Sequence, residues 1–300
     1  MSGSGKVITR RDFLRGGICA TLAAAMGLPL ESQEKKTETS RLTKVVLIRD
    51  EKVIDEKGQI NAEVIQQMLD QAVSELLGKK DPVLAWKNLI QPSDIVGIKS
   101  NVWRPLPTPV EVEQAIKRRV MDAGVPERNI DISDRGVRIR PIFQKSTALI
   151  NARPLRTHHW SGLGGCIKNY IPFVSYAPDY HPDSCADLAA MWKLPIVKGK
   201  TRLNVLLLLK PLFHGIGPHH FNRKYTWEYK GILVGKDPVA LDAVGLKIFQ
   251  AKRLQYFGEE IPFKPPARHI ILADTRHKLG TSDLQKIELV KLGWKQGILI

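Results

Sequence analysis

From Val45 onward, short apolar runs alternate with longer stretches of helical periodicity, and this alternation limits the fold more than any other feature of the chain. Residues 45–49 form a short apolar run suited to a buried strand. Asn61 then stands before Ile65, Met68, Leu69, Ala72, Val73 and Leu76, a 3.6-residue period with a cap at its start. A second strand is expected at residues 95–99. In Thr108-Pro109-Val110-Glu111 a capping box meets a proline at the first helical position, opening a helix that turns Val112, Ile116 and Val120 inward and ends near Gly124. Residues 130–133 and 148–152 read as the third and fourth strands. The expected class is α/β, a largely parallel sheet flanked by helices.

The second half is less regular at first. Gly162, Gly164 and Gly165 lie among Pro154, Pro172, Pro178 and Pro182, and residues 153–182 read as an active-site loop region. Asp183 is expected to cap a short helix carrying Ala186, Leu188 and Ala189, with a fully apolar strand at 205–209. A strand at 231–235 runs into Asp237-Pro238, a cap and first-turn pair that opens a helix from 239 to about 249. A strand at 269–273 and a helix at 282–292 complete the reading. No internal repeat is visible. Two α/β lobes, 45–150 and 151–250, are expected around the glycine-rich middle, with 251–300 as an extension.

Thr9-Arg10-Arg11-Asp12-Phe13-Leu14-Arg15 and the weakly apolar run that follows, residues 16–30, read as a twin-arginine export signal. That run is shorter than the roughly 20 residues a spanning helix needs. The signal therefore occupies residues 1–30, with Arg10 and Arg11 as its recognition pair, Ala23-Ala24-Ala25 as a place for cleavage and 31–44 as a polar linker. A periplasmic or otherwise exported location follows, with the twin-arginine translocase as partner during export. No stable transmembrane segment is expected after cleavage. Such substrates generally cross folded, and many carry a cofactor; none is named here.

The net charge of +16 falls to +13 on loss of residues 1–25, which removes Lys6, Arg10, Arg11 and Arg15 against Asp12. A basic surface favours anionic partners. The basic residues are scattered, without aromatic interleaving or a helix-turn-helix or zinc-finger pattern, so no nucleic acid is expected. Cys19 sits inside the signal; Cys166 and Cys185 are either a disulfide or two separate buried thiols. No CxxC occurs, so no ferredoxin-type cluster can be built.

Three ordered motifs carry a resemblance. Asp94-Ile95-Val96-Gly97-Ile98-Lys99-Ser100-Asn101 comes first. Arg153-Pro154-Leu155-Arg156-Thr157-His158 leads to Gly165-Cys166-Ile167-Lys168-Asn169, and Gly235-Lys236-Asp237-Pro238-Val239-Ala240-Leu241-Asp242-Ala243 follows. Together they resemble the domain-of-unknown-function 362 family over residues 45–250. The resemblance implies a fold and candidate residues; the family has no generally assigned reaction. Some members carry a ferredoxin-like cluster domain, from which this chain departs. It departs again at Lys210, where the family tends to place an acid, next to the turn Gly215-Ile216-Gly217-Pro218.

Candidate site residues follow from chemistry and place. Lys99 and Asn101 sit at the carboxyl end of a strand, where open α/β sheets hold ligands, and a lysine there can fix a carboxylate or phosphate. Asp134 ends the next strand and could orient a hydroxyl or a basic partner. His158, beside His159, is the main acid–base candidate because imidazole titrates near neutrality, and His181 is a second. Lys168 and Asn169 add a cation and an amide beside glycines whose bare backbone can approach an anion. Asp242 interrupts an apolar helical face, whereas Asp237 reads as a cap. Trp103, Trp160 and Trp192 are either pocket walls or core. Catalytic roles thus fall to His158, Lys99, Lys168 and His181, and substrate binding to Asn101, Asp134, Asn169 and Asp242.

A competing reading joins His214, His219 and His220 with His158, His159 or His181 around zinc, copper or iron, although no HExxH or other strict ligand spacing is present. GxSxG, GxxxxGKS and a GxGxxG after the first strand are also missing. Two main functions remain: an enzyme using acid–base chemistry on a small anionic substrate, and a periplasmic ligand-binding or cofactor-maturation protein without turnover.

Overall fold

The computed structural model describes residues 42–300 apart from 216, 218 and 219. Arg10, Arg11, Cys19 and His219 lie outside the described residues. The described chain forms one eight-stranded sheet from β1 (Thr43–Arg49), β2 (Val96–Lys99), β3 (Ile130–Ser133), β4 (Ala148–His158), β5 (Gly162–Gly164), β6 (Thr201–Leu212), β7 (Gly231–Gly235) and β8 (Ile287–Gly293). The order is β3-β2-β4-β6-β7-β1-β8, with β5 paired to β4. β3, β2, β4 and β6 run parallel, and so do β1 and β8; β7 is antiparallel to β6 and to β1. The fold is α/β, as the alternation implies.

Successive residues of a strand point to opposite faces, and here both faces are covered. On one face Val46, Ile48, Ile98, Ile150 and Val205 meet Ile65, Met68, Leu69, Ala72 and Val73 of α1 (Ala62–Leu77). The Asn61 side chain caps this helix by accepting from the backbone of Glu63 and Val64. The helices α2 (Pro82–Lys87) and α3 (Val110–Asp122) lend Trp86 and Ile116 to the same core. On the other face Val45, Leu47, Leu149, Leu155 and Leu206 pack with Phe143 of α4 (Pro141–Lys145) and with Val239, Leu241, Val244 and Ile248 of α5 (Pro238–Phe257). Asp237 caps α5 as expected, its Oδ1 accepting from Val239 and Ala240. Among the described residues no helix is long and apolar enough to cross a membrane.

Several local expectations are corrected. Pro109, not Thr108, precedes α3; the Thr108 hydroxyl accepts from Asn101 N at 3.1 Å and donates to Ala152 O at 3.2 Å, tying the loop after β2 to β4. Residues 153–158 are not loop but the second half of β4, and the register with β6 shifts between Pro154 and Arg156, which accommodates a proline within a central strand. Asp183 caps nothing: Asp183, Ser184 and Cys185 all have left-handed φ, and Asp183 pairs with Arg268. Residues 268–275 form α6 (Arg268–Thr275), where Ile270 and Ala273 are buried and Ile271 is exposed, a three-residue spacing that a short apolar run does not reveal by itself. The expected final helix is β8, held in register on β1 from Ile287 to Gly293. The expected boundary at residue 150 falls inside β4, and Leu42–Ile300 forms one compact unit.

Candidate functional site

Lys99, Asn151, Asn204 and Gly235 lie side by side at one level of the sheet, near the carboxyl ends of β2 and β3. Lys99 is fully buried. Its Nζ donates to Ser100 O at 2.7 Å and pairs with Asp134, whose other oxygen accepts from Val102 N at 3.0 Å. Burial pulls Lys99 down to about 8 against the attraction of Asp134. Burial also acts to raise Asp134, but Lys99 and the Val102 N–H outweigh it and hold that carboxyl below its usual range. Lys99 therefore already has a counter-ion within the chain.

A ladder of amides runs from this pair. Asn169 donates from Nδ2 toward Asn151 Oδ1 (2.8 Å), Lys99 O (3.2 Å) and Ala152 O (3.4 Å), while its Oδ1 accepts from Asn101 at 3.3 Å. Asn151 donates to Asn204 Oδ1 at 2.9 Å and to Cys166 O at 3.1 Å, and Asn204 donates to Lys236 O at 3.0 Å. Asn101 and Asn169 are thus hydrogen-bonded to each other. Their role in the structure is to lock the strand ends to the 3₁₀ turn Ile167–Phe173.

That turn has a second anchor. Asp242 of α5 is fully buried and accepts from Cys166 N at 2.6 Å and Ile167 N at 3.0 Å. Gly165 is required beside it, because a Cβ there would lie 2.1 Å from Asp242 Oδ1. Burial, opposed by those two N–H groups, pushes Asp242 up to about 7. Asp242 positions the turn rather than pointing at open space.

Above these anchors lies a buried cluster of cations. On β4, Arg153 and Arg156 are 2% and 6% exposed, and Arg153 Nη2, Arg156 Nε and Arg156 Nη1 have no hydrogen-bond partner among the described residues. Arg153 donates from Nε to Pro154 O at 3.2 Å, and Arg156 stacks its guanidinium 4.2 Å above the Trp103 ring. Burial and the neighbouring Arg153 pull Arg156 well below its usual range, although a guanidinium stays charged. Lys168, on the 3₁₀ turn, reaches Cys185 Sγ at 3.7 Å and is pulled down to about 8, first by burial, with Arg153 and Arg156 acting in the same direction.

Imidazoles border the cluster. His158 Nδ1 accepts from Trp160 N at 3.2 Å, which puts the proton of the neutral ring on Nε2. Burial, then Lys168 and Arg156, hold its pKa far below the usual histidine range, so at physiological pH His158 is a donor of Nε2–H. His159 stacks on His158 with centroids 4.6 Å apart, and His181 lies 3.8 Å from the half-exposed Trp160 ring. His269 on α6 is fully buried near Lys168 and Arg153, and burial pulls it down to about 3.

Of the residues singled out in the sequence, Lys99, Asn101, Asp134, His158, Lys168, Asn169, His181 and Asp242 all belong to this neighbourhood. Arg153, Arg156, Asn151, Asn204 and His269 were missed as site residues. The signal for the first two was present: a pair of arginines at the end of an apolar strand. Trp192 belongs to the core, donating to Ile167 O at 3.2 Å, and Lys210 pairs with Glu228 on the surface. Cys166 and Cys185 are both free and buried. Among the described residues no three His, Cys, Asp or Glu side chains converge to hold a metal ion, and the His214 ring packs against Tyr225 and Phe257.

A comparison with family models matches residues 96–247, half of the chain, to the Domain of unknown function (DUF362). The chain belongs to this family. The matched span of the DUF362 chain begins in β2 and ends in α5, so it holds Lys99, Asp134, β4, the 3₁₀ turn and Asp242. Searches of curated proteins and of solved structures returned no match. His269 and β8 lie beyond the matched span, yet one reaches the cluster and the other completes the sheet.

Proposed function

We propose that this DUF362 protein is exported through the twin-arginine pathway and acts as an enzyme on a small anionic substrate held by Arg153, Arg156 and Lys168. The reading rests on one observation: three guanidinium nitrogens, Arg153 Nη2 and Arg156 Nε and Nη1, are buried without a hydrogen-bond partner among the described residues. An uncompensated buried charge costs several kcal/mol. Among the described residues Asp134 and Asp242 attract Arg153 without hydrogen-bonding to it, so these cations call for an anion that can. An anion seated among them would accept from both arginines, as charge-assisted hydrogen bonds favour.

Proton chemistry then divides between two groups. His158, neutral and fixed in one tautomer, polarises a substrate oxygen through Nε2–H. Lys168, with its pKa near 8, exchanges a proton close to neutral pH, where a general acid–base group is most effective. The export reading draws its support from Arg10-Arg11 and the short apolar run behind them.

Native mass spectrometry of protein exported through its own signal tests the reading. The wild type should carry a small anion that an Arg153→Gln, Arg156→Gln double variant lacks. Returned to the protein, the compound should be converted by wild type and only bound by Lys168→Met. Conversion by Lys168→Met at the wild-type rate would remove the proton role. A folded wild type that arrives empty and retains no added anion would remove the whole reading.

A further inference from the structure

Among the described residues Asp134 and Asp242 are the carboxylates that act on this cluster, and both are engaged. Asp134 is bound to Lys99 and Val102 N, and Asp242 accepts from the backbone of Cys166 and Ile167. Neither makes a hydrogen bond to Arg153, Arg156 or Lys168 among the contacts of those side chains. The other titratable neighbours supply no negative charge: His158, His181 and His269 are held neutral by burial and nearby cations, and burial keeps the Cys166 and Cys185 thiols protonated. The positive charge left over exceeds what a single negative charge can balance.

The donors also outnumber what a carboxylate can use. Arg153 Nη2, Arg156 Nε and Nη1, Lys168 Nζ and the His158 Nε2–H are available, whereas a carboxylate presents two oxygens. A phosphate monoester presents three strong acceptor oxygens and carries close to two negative charges at neutral pH, its second pKa being about 6. Resting on the anion reading above, we infer that the ligand of this site is a phosphate monoester, bound as the dianion through its phosphoryl group. The rest of the ligand lies toward Trp160, the exposed member of the ring array beside His158 and His181.

Isothermal titration of the full chain with monomethyl phosphate, dimethyl phosphate and malonate at neutral pH tests the assignment. The two esters share their chemistry and differ in charge, and malonate supplies two charges on carboxylates. Monomethyl phosphate should bind at least about tenfold more tightly than either, the effect of one additional charge-assisted hydrogen bond. In Arg156→Gln that preference should collapse, while Arg156→Lys, which keeps the charge, should retain part of it; thermal melts verify that both variants are folded. Equal affinity for the two esters would overturn the dianion, and tighter binding of malonate would overturn the phosphoryl group. Failure of all three probes to bind folded wild type would overturn the anion reading as well.

Discussion

The Asp242 carboxylate accepts the backbone N–H of Cys166 at 2.6 Å, and this contact joins α5 to the turn that carries Lys168 and Asn169. Asp242→Asn would turn an amide donor toward one of those N–H groups and should destabilise the protein by about 1–3 kcal/mol. The effect depends on pH. The folded pKa near 7 lies above the ordinary aspartate value of 3.8, so the folded state binds a proton that the unfolded state has released. This contribution is fully present below the unfolded value and is lost as pH rises to about 7. The advantage of wild type over Asp242→Asn, read from denaturant melts, should therefore narrow across that window; a constant gap would place Asp242 in a different ionisation state.

Gly165→Ala should act on the same contact from the other side. Its Cβ would stand 2.1 Å from Asp242 Oδ1, and overpacking of this kind costs about 1–3 kcal/mol. A melting temperature equal to that of wild type would show that the turn has room which the geometry denies.

Lys99→Met should cost about 3–5 kcal/mol, because it leaves Asp134 buried without its counter-ion. Adding Asp134→Asn should recover a large part of the loss. A double variant no more stable than Lys99→Met would refute the pairing as the reason Lys99 is buried.

His269 gives a pH signature of opposite sign. Its folded pKa of about 3 lies below the ordinary histidine value of 6.5, so stability is lost as pH falls below about 6.5 and the unfolded ring takes up a proton. Between pH 7 and 5 one such group costs about 2 kcal/mol. His269→Gln should lose that much less over the same interval; parallel stability curves for the two proteins would contradict a buried neutral ring.

Much of this fold was legible because local signals agreed with the tertiary structure. Asn61 and Asp237 cap the helices that follow them, and the apolar period of α1 is the period of its buried stripe. Legibility failed where one residue type serves two purposes. Thr108 and Pro109 satisfy a capping pattern, yet the threonine hydroxyl binds a neighbouring loop and strand. Pro154 argues against a central strand, yet a register shift in β4 absorbs it and leaves Arg153, Arg156 and His158 inside the sheet. The site was legible in its residue types but not in its division of labour. Lys99, the expected anion binder, is neutralised by Asp134, a pairing across 35 positions, and the unpartnered buried nitrogens belong instead to arginines that the sequence shows only as part of a motif.

The central claim is that Arg156 is buried for the sake of an anion, and the melting temperature of Arg156→Met with and without monomethyl phosphate tests it most directly. Removing an uncompensated buried charge while keeping the apolar stem against Trp103 should leave the ligand-free protein at least as stable as wild type, by as much as about 1–2 kcal/mol. It should also abolish the stabilisation that the anion gives wild type. A ligand-free variant that melts well below wild type and still responds fully to the anion would show that Arg156 serves the fold and that the anion, if bound, is held elsewhere.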